Sequence, residues 1–230
     1  MVEVITMFDE YDEKEAVEVI DEQEADDSIL DELPDESESV SSDYVDLDEL
    51  ADKNQNDIDS ERLEKLYQDA IESNDAKNAE KYDALLEISS LRDDLELTKG
   101  DSDYVQAGGL YKDLIGKYNG YEIHHIPAKS VQDANARYLP AIALTAQDHS
   151  CTDSYRYKSN KTYDSFLPDS KEGHTYKDDA KDMISQGRYL DLVRDELYNI
   201  KDNFGDRYDG GIEEYLNCLY QQISENGVPK

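Results

Sequence analysis

Tyr121-Glu122-Ile123-His124-His125-Ile126-Pro127-Ala128-Lys129-Ser130 places two of the four histidines of a 230-residue chain side by side. Tyr121 to Ile126 alternate weakly between apolar and polar residues, which predicts a short strand. Pro127, which has no N–H for a ladder, ends it. Successive strand side chains point to opposite faces, so His124 and His125 are expected to do different jobs. A loop runs on to about Pro140, then the apolar run Ala141-Ile142-Ala143-Leu144 leads into Asp148-His149. Three histidines thus share the 26 positions from 124 to 149, and that clustering marks the candidate site.

The segment Asp148-His149-Ser150-Cys151-Thr152-Asp153 reads as the start of a helix near His149, with Asp153 at i+4 on the same face. A histidine and a carboxylate one turn apart can both reach one divalent ion. The candidate metal ligands are therefore His124 and His149 with Asp153 or Asp148, and His125 alongside is the candidate general base. Imidazole suits Zn²⁺, Ni²⁺ or Co²⁺, and added carboxylate admits Mg²⁺ or Mn²⁺. The arrangement fits attack of water on a phosphodiester. Lys129, Arg137, Arg156, Lys158 and Lys161 are candidate phosphate contacts, although solvated surface cations explain them equally well. Tyr155, Tyr157 and Tyr163 alternate with those cations and are either stacking platforms for bases or packing groups. His174 reads as a solvated loop residue, and Cys151 as a small buried one.

Glu122-Ile-His-His-Ile-Pro-Ala-Lys-Ser130, followed by Pro140-Ala141-Ile142 and by Asp148-His149 with Thr152 and Ser154, resembles the His-His-x-Pro toxin domains of the HNH and endonuclease VII superfamily, found at the C-termini of bacterial polymorphic toxins. The likeness covers about residues 119 to 156. It implies a ββα-metal core in which two short strands carry the histidine pair and the next helix supplies another ligand. By the same resemblance His124 and His149 would hold the metal and His125 would activate water. DNA is the implied substrate and a cognate immunity protein the implied partner; a separate reading is a metal-dependent hydrolase of another phosphodiester, such as RNA.

Outward from this core, the chain divides by composition. Residues 1 to 50 hold 21 acids and one base, Lys14, a net charge of −20 out of −34 for the whole chain. With few apolar residues among them, residues 1–56 are expected to form a disordered acidic tail. Leu63, Leu66, Tyr67 and Ile71, then Leu85, Leu86, Ile88, Leu91 and Leu95, follow helical spacing and predict a helical hairpin or short coiled coil over 57–100, broken near residues 73–76. Residues 101–230 are expected to form the nuclease domain with a helical C-terminal extension. Met183, Ile184, Leu190, Leu192, Val193, Leu197 and Ile200 line one helical face, and Ile212, Tyr215, Leu216, Leu219 and Ile223 another. Gly205, Gly210 and Gly211 are expected at the turn between them. The expected fold class is α+β, mostly α-helical: a small ββα-metal core with C-terminal helices, behind a helical hairpin and the acidic tail.

No apolar run is long enough to span a bilayer, and Met1 to Glu10 lacks the basic start and apolar core of a secretory signal. No membrane association is expected, and the location is either the cytoplasm or delivery as an effector without a Sec signal. Cys151 and Cys218 form no Cys-x-x-Cys pair, which leaves a disulfide scaffold or a cysteine zinc finger without support. Residues 117–161 carry six Lys and Arg against four acids, so the histidine region is mildly positive within an acidic chain. Electrostatics otherwise argues against nucleic-acid binding. A second reading follows from it: a non-catalytic acidic adaptor whose helices bind a protein partner and whose histidines are structural.

Overall fold

The computed structural model describes residues 60–132, 134–155, 167, 170 and 173–229. The expected acidic tail over 1–56, together with Arg156, Tyr157, Lys158, Lys161 and Tyr163, lies outside the described residues. The described chain is mixed α and β, mostly helical, with a three-stranded antiparallel sheet.

Helix α1 (Ser60–Glu72) and helix α2 (Ala76–Asp94) fold back on each other. Ser60 Oγ lies 3.4 Å from Ser89 Oγ, and the Asp75 side chain caps α2 by accepting from Asn78 N at 3.1 Å. Leu63, Leu85, Ile88, Leu91 and Leu95 are buried; in the last turn of α1 Ala70 is buried instead, and Ile71 is 51% exposed. These helices do not form a separate body. Their buried leucines belong to the same core cluster as Ile126, Ile142, Leu197, Leu216 and Ile223, so packing runs across Gly100 without a break. Arg92, on α2, is paired with Glu213 and Asn217 near the other end of the chain.

The sheet consists of β1 (Gly108–Leu110), β2 (Tyr121–His125) and β3 (Pro140–Thr145), in the order β1-β3-β2. Helix α3 (Tyr111–Leu114) follows β1 directly. As the central strand, β3 is buried from Pro140 to Leu144, which is why it reads as a continuous apolar run and not as an alternation. Opposite it, His124 pairs with Ile142 and His125 with Ala141. Strand β1, Gly-Gly-Leu, has no strand signature of its own and is held by pairing Gly108 with Ile142 and Leu110 with Pro140.

Helix α4 (Ala146–His149) comes next, and its position corrects the expected helix start. Thr145, not a residue near His149, is the N-cap, its side chain accepting from Asp148 N at 3.1 Å. His149 therefore ends the helix, and Asp153 does not sit one helical turn beyond it.

Helices α5 (Tyr176–Ser185), α6 (Tyr189–Phe204) and α7 (Asp209–Asn226) complete the described chain. Met183, Leu190, Leu192, Val193, Leu197 and Ile200 are buried, as are Ile212, Tyr215, Leu216, Leu219 and Ile223. Gly205, at φ +59, opens the short 3₁₀ turn to Tyr208, but Gly210 and Gly211 lie inside α7. Their place comes from packing: a Cβ on Gly211 would stand 3.2 Å from Ala107 N and O, one on Gly210 3.0 Å from Lys99 O, and one on Gly108 of β1 2.2 Å from Gly211 O. Only glycine lets strand and helix approach that closely.

Candidate active site

The end of β2, the end of α4 and the start of α5 enclose a cleft of about 320 Å³, lined among others by Tyr111, Glu122, His124, His125, Lys129 and His149. Pairing of β2 with β3 carries both strand histidines to one end of the sheet, and α4 folds back so that His149 meets them. The His124 and His149 rings are 4.8 Å apart between centroids and inclined at 62°. The alternation of strand faces still separates His124 from His125, yet both border the cleft. Ser130, Ser154, Tyr155 and Lys177 also line it.

Each of the three histidines has one ring nitrogen turned to a protein oxygen. His125 Nε2 lies 3.0 Å from the Ala136 carbonyl, and its ring stacks on Tyr111 at 4.4 Å. His149 Nδ1 lies 2.5 Å from Glu122 Oε2, and Tyr155 meets its ring edge-on at 4.9 Å. His124 Nε2 faces Ser154 Oγ at 3.3 Å and Glu196 Oε2 at 3.7 Å. A carbonyl or an ionised carboxylate can only accept, so the contacts of His125 with Ala136 and of His149 with Glu122 place the N–H on that nitrogen and leave the other with a free lone pair. His124 Nε2 instead meets a hydroxyl that donates or accepts and a carboxyl at 3.7 Å.

Burial keeps the His124 and His125 rings neutral. His124 is 4% exposed, and desolvation, followed by the nearby imidazoles of His149 and His125, holds its pKa well below the usual value. His125 is also lowered, first by burial and then by Lys129, against a smaller upward effect of the Ala136 carbonyl.

Two expected ligands are not brought to the histidines. Asp148 turns the other way: its Oδ2 accepts from Tyr208 OH at 2.6 Å and Arg207 Nη1 at 2.7 Å. Burial would raise its pKa, but the hydrogen bonds from Tyr208, Arg207 and Thr145 lower it on balance. It borders a separate recess with Tyr104, Gln147 and Arg207. Asp153 accepts from Asn199 Nδ2 at 2.8 Å, tying the loop after α4 to α6. The physical reason is the earlier helix start, which leaves only His149 of this segment directed at the cleft. Among the described residues, no three His, Cys, Asp or Glu side chains form a ready-made cation site.

Of the candidate phosphate contacts, Lys129 lines the cleft. Arg137 is on the 3₁₀ turn Ala136–Tyr138, outside the lining, and Arg156 and Lys158 fall beyond the described residues. His174 lies in the loop before α5, half-buried, with its Nδ1 2.7 Å from Asp179 Oδ1. Cys151 is exposed.

The residues not singled out from sequence are Glu122, Tyr111, Lys177 and Glu196. Glu122 carried a signal, standing two positions before His124 on the same strand face. Glu196 carried another: an acid at 196 interrupts the apolar stripe of Leu192, Val193, Leu197 and Ile200. Tyr111 and Lys177 are brought in by tertiary packing alone.

No protein-family model, curated protein or solved structure matches this chain. Among the described residues no helix is long and apolar enough to cross a membrane.

Proposed function

We propose that this protein is a metal-dependent endonuclease that hydrolyses phosphodiester bonds in DNA, built on a ββα-metal core of β2, β3 and α4. The observation that carries the reading is the convergence of three imidazoles on one cleft, each with one ring nitrogen occupied by a protein oxygen. His125 is the general base. Its Nε2–H is directed at the Ala136 carbonyl, and its Nδ1 lone pair takes a proton from water as the water oxygen attacks phosphorus and the bond to the leaving sugar oxygen breaks. Burial supports this role, since a neutral imidazole is required.

His124 and His149 are the residues that would hold a divalent ion. The donor set fits: each presents one nitrogen while a carboxylate, Glu196 or Glu122, stands behind the other, as outer-shell carboxylates do at metal-binding histidines. Two imidazoles leave the remaining positions to water and substrate phosphate, which suits Mg²⁺, Mn²⁺, Zn²⁺ or Ni²⁺ in a catalytic site. Such an ion supplies charge stabilisation at the phosphate. Lys129 and Lys177, lining the cleft, add positive charge against phosphate, and Tyr111 and Tyr155 offer ring faces at its wall.

The sequence resemblance to toxin domains supports a role as a bacterial effector, in the cytoplasm or delivered without a Sec signal, with an immunity protein as its protein partner. The test is plasmid nicking by the full chain with Mg²⁺, Mn²⁺, Ni²⁺ or Zn²⁺, against EDTA and a His125→Ala control. Cleavage abolished in both controls is the expected result. A folded chain that nicks plasmid with none of the four metals overturns the DNA reading and favours an acidic adaptor with structural histidines or another phosphodiester, such as RNA, as substrate.

A further inference from the structure

Glu196 is 2% exposed on the apolar face of α6, between Val193 and Leu197. Burial pushes its pKa up to about 7 against the lowering effect of the Tyr176 and Ser154 hydroxyls, and no Lys or Arg among the described residues is paired with it. Its Oε1 accepts a hydrogen bond from Tyr176 OH of α5. Its Oε2 has no hydrogen-bond partner among the described residues and stands 3.7 Å from His124 Nε2. Ser154 Oγ reaches the same nitrogen at 3.3 Å. Four separate segments, β2, the loop after α4, α5 and α6, thus converge behind one imidazole.

An anchor for Tyr176 needs one acceptor oxygen, and a neutral amide would provide it without the cost of a buried acid. The second oxygen, turned to His124, is what such an anchor leaves unexplained.

We infer that Glu196 is a positioning residue: with Tyr176 holding its carboxyl, it fixes the His124 ring with the N–H on Nε2, so that Nδ1 is the nitrogen offered to the cleft. The inference rests on the proposed metal-nuclease reading for its consequence but not for its geometry. A side chain of this kind tunes a ligand without touching substrate, and its loss characteristically weakens metal binding about 10- to 100-fold.

The experiment uses the full chain and two variants. Glu196→Met keeps an unbranched side chain of similar length and removes both oxygens. Tyr176→Phe/Glu196→Met also removes the hydroxyl whose acceptor is lost, since deleting both partners of a hydrogen bond is far better tolerated than deleting one. Long-range ¹H–¹⁵N spectra of the metal-free protein at pH 8 report the His124 tautomer, and calorimetric titration with Ni²⁺ reports affinity. Expected is a single Nε2–H form in the wild type, a substantial Nδ1–H population in both variants, and Ni²⁺ binding weaker by 10-fold or more. An unchanged tautomer in either folded variant overturns the inference. If the wild type binds no Ni²⁺ while the tautomer still shifts, Glu196 positions His124 and the metal reading is what fails. Should Glu196→Met not fold, the double variant decides.

Discussion

His149 Nδ1 lies 2.5 Å from Glu122 Oε2, so the last residue of α4 is held by the strand that carries the other two histidines. The pair makes the position of His149 a property of β2 rather than of its own short helix, which is too brief to hold a side chain rigidly by itself. Because the Glu122 side chain is 47% exposed, the contact contributes little to folding, about 0.5 kcal/mol. Its effect is orientation. Glu122→Gln is therefore expected to leave thermal stability almost unchanged while weakening Ni²⁺ binding about 10-fold. Calorimetry and a melting curve on one preparation check both halves, and equal affinity in the two proteins would separate Glu122 from the site.

His125 sets the pH response. Below its pKa the imidazole is protonated and cannot accept a proton from water, so activity is lost on the acid side. Burial places that pKa below the ordinary 6.5, so the competent form already predominates at neutral pH. Initial nicking rates at saturating metal are expected to be level between about pH 7 and 8, with an acid limb whose midpoint falls under 6.5. A midpoint at or above 6.5 would contradict the assignment of His125 as the base.

Much of the helical framework was legible because periodicity is a strong signal. Ile212, Tyr215, Leu216, Leu219 and Ile223 read as one face of a helix and are all buried. The histidine strand shows only a weak alternation ended by Pro127, and β3, buried on both faces, shows no alternation, so its apolar run 141–144 carries no strand period of its own. The start of α4 is less legible: Thr145-Ala-Gln-Asp148 contains a capping residue three positions before an acid, but a four-residue polar helix has no apolar period to go with it. Gly210 and Gly211 read as turn residues but lie inside α7, because no local pattern shows that Lys99, Gln106 and Ala107 pack against them. Partnerships such as Asp148 with Arg207, across 59 positions, or Glu196 with His124 depend on which elements pack together, and no local pattern encodes that.

Asp148 is expected to act in folding. Asp148→Asn weakens the contacts with Tyr208 and Arg207, and should cost about 2 kcal/mol at neutral pH, the Arg207 part being reduced by its solvent exposure. The sign with pH follows from a lowered carboxyl pKa: the stabilisation is complete above the unfolded value of 3.8 and is lost as pH falls through the lower folded value. The difference in melting temperature between wild type and Asp148→Asn should thus hold from pH 7 to pH 5 and close in stronger acid. Ni²⁺ affinity of the folded variant should equal that of the wild type. A large loss of affinity without a loss of stability would return Asp148 to the metal site.

Gly108 gives the most direct test of how the sheet is seated on α7. It is not needed for an unusual turn; it is needed because the strand passes directly over the helix backbone. An added Cβ would lie 2.2 Å from Gly211 O and 2.5 Å from Tyr215 N, and both obstacles are main chain, which cannot swing aside as a side chain does. Strand or helix must therefore shift, and overpacking of this kind costs about 2 kcal/mol. Gly108→Ala should lower the unfolding free energy by that amount, read as a lower urea midpoint with little change in slope. Because β1 borders β3 on the edge away from β2, the histidines keep their strand partners. The acid limb of nicking by the folded variant should therefore keep its wild-type midpoint, whereas a displaced limb would show that the sheet moves as one piece and carries His125 with it.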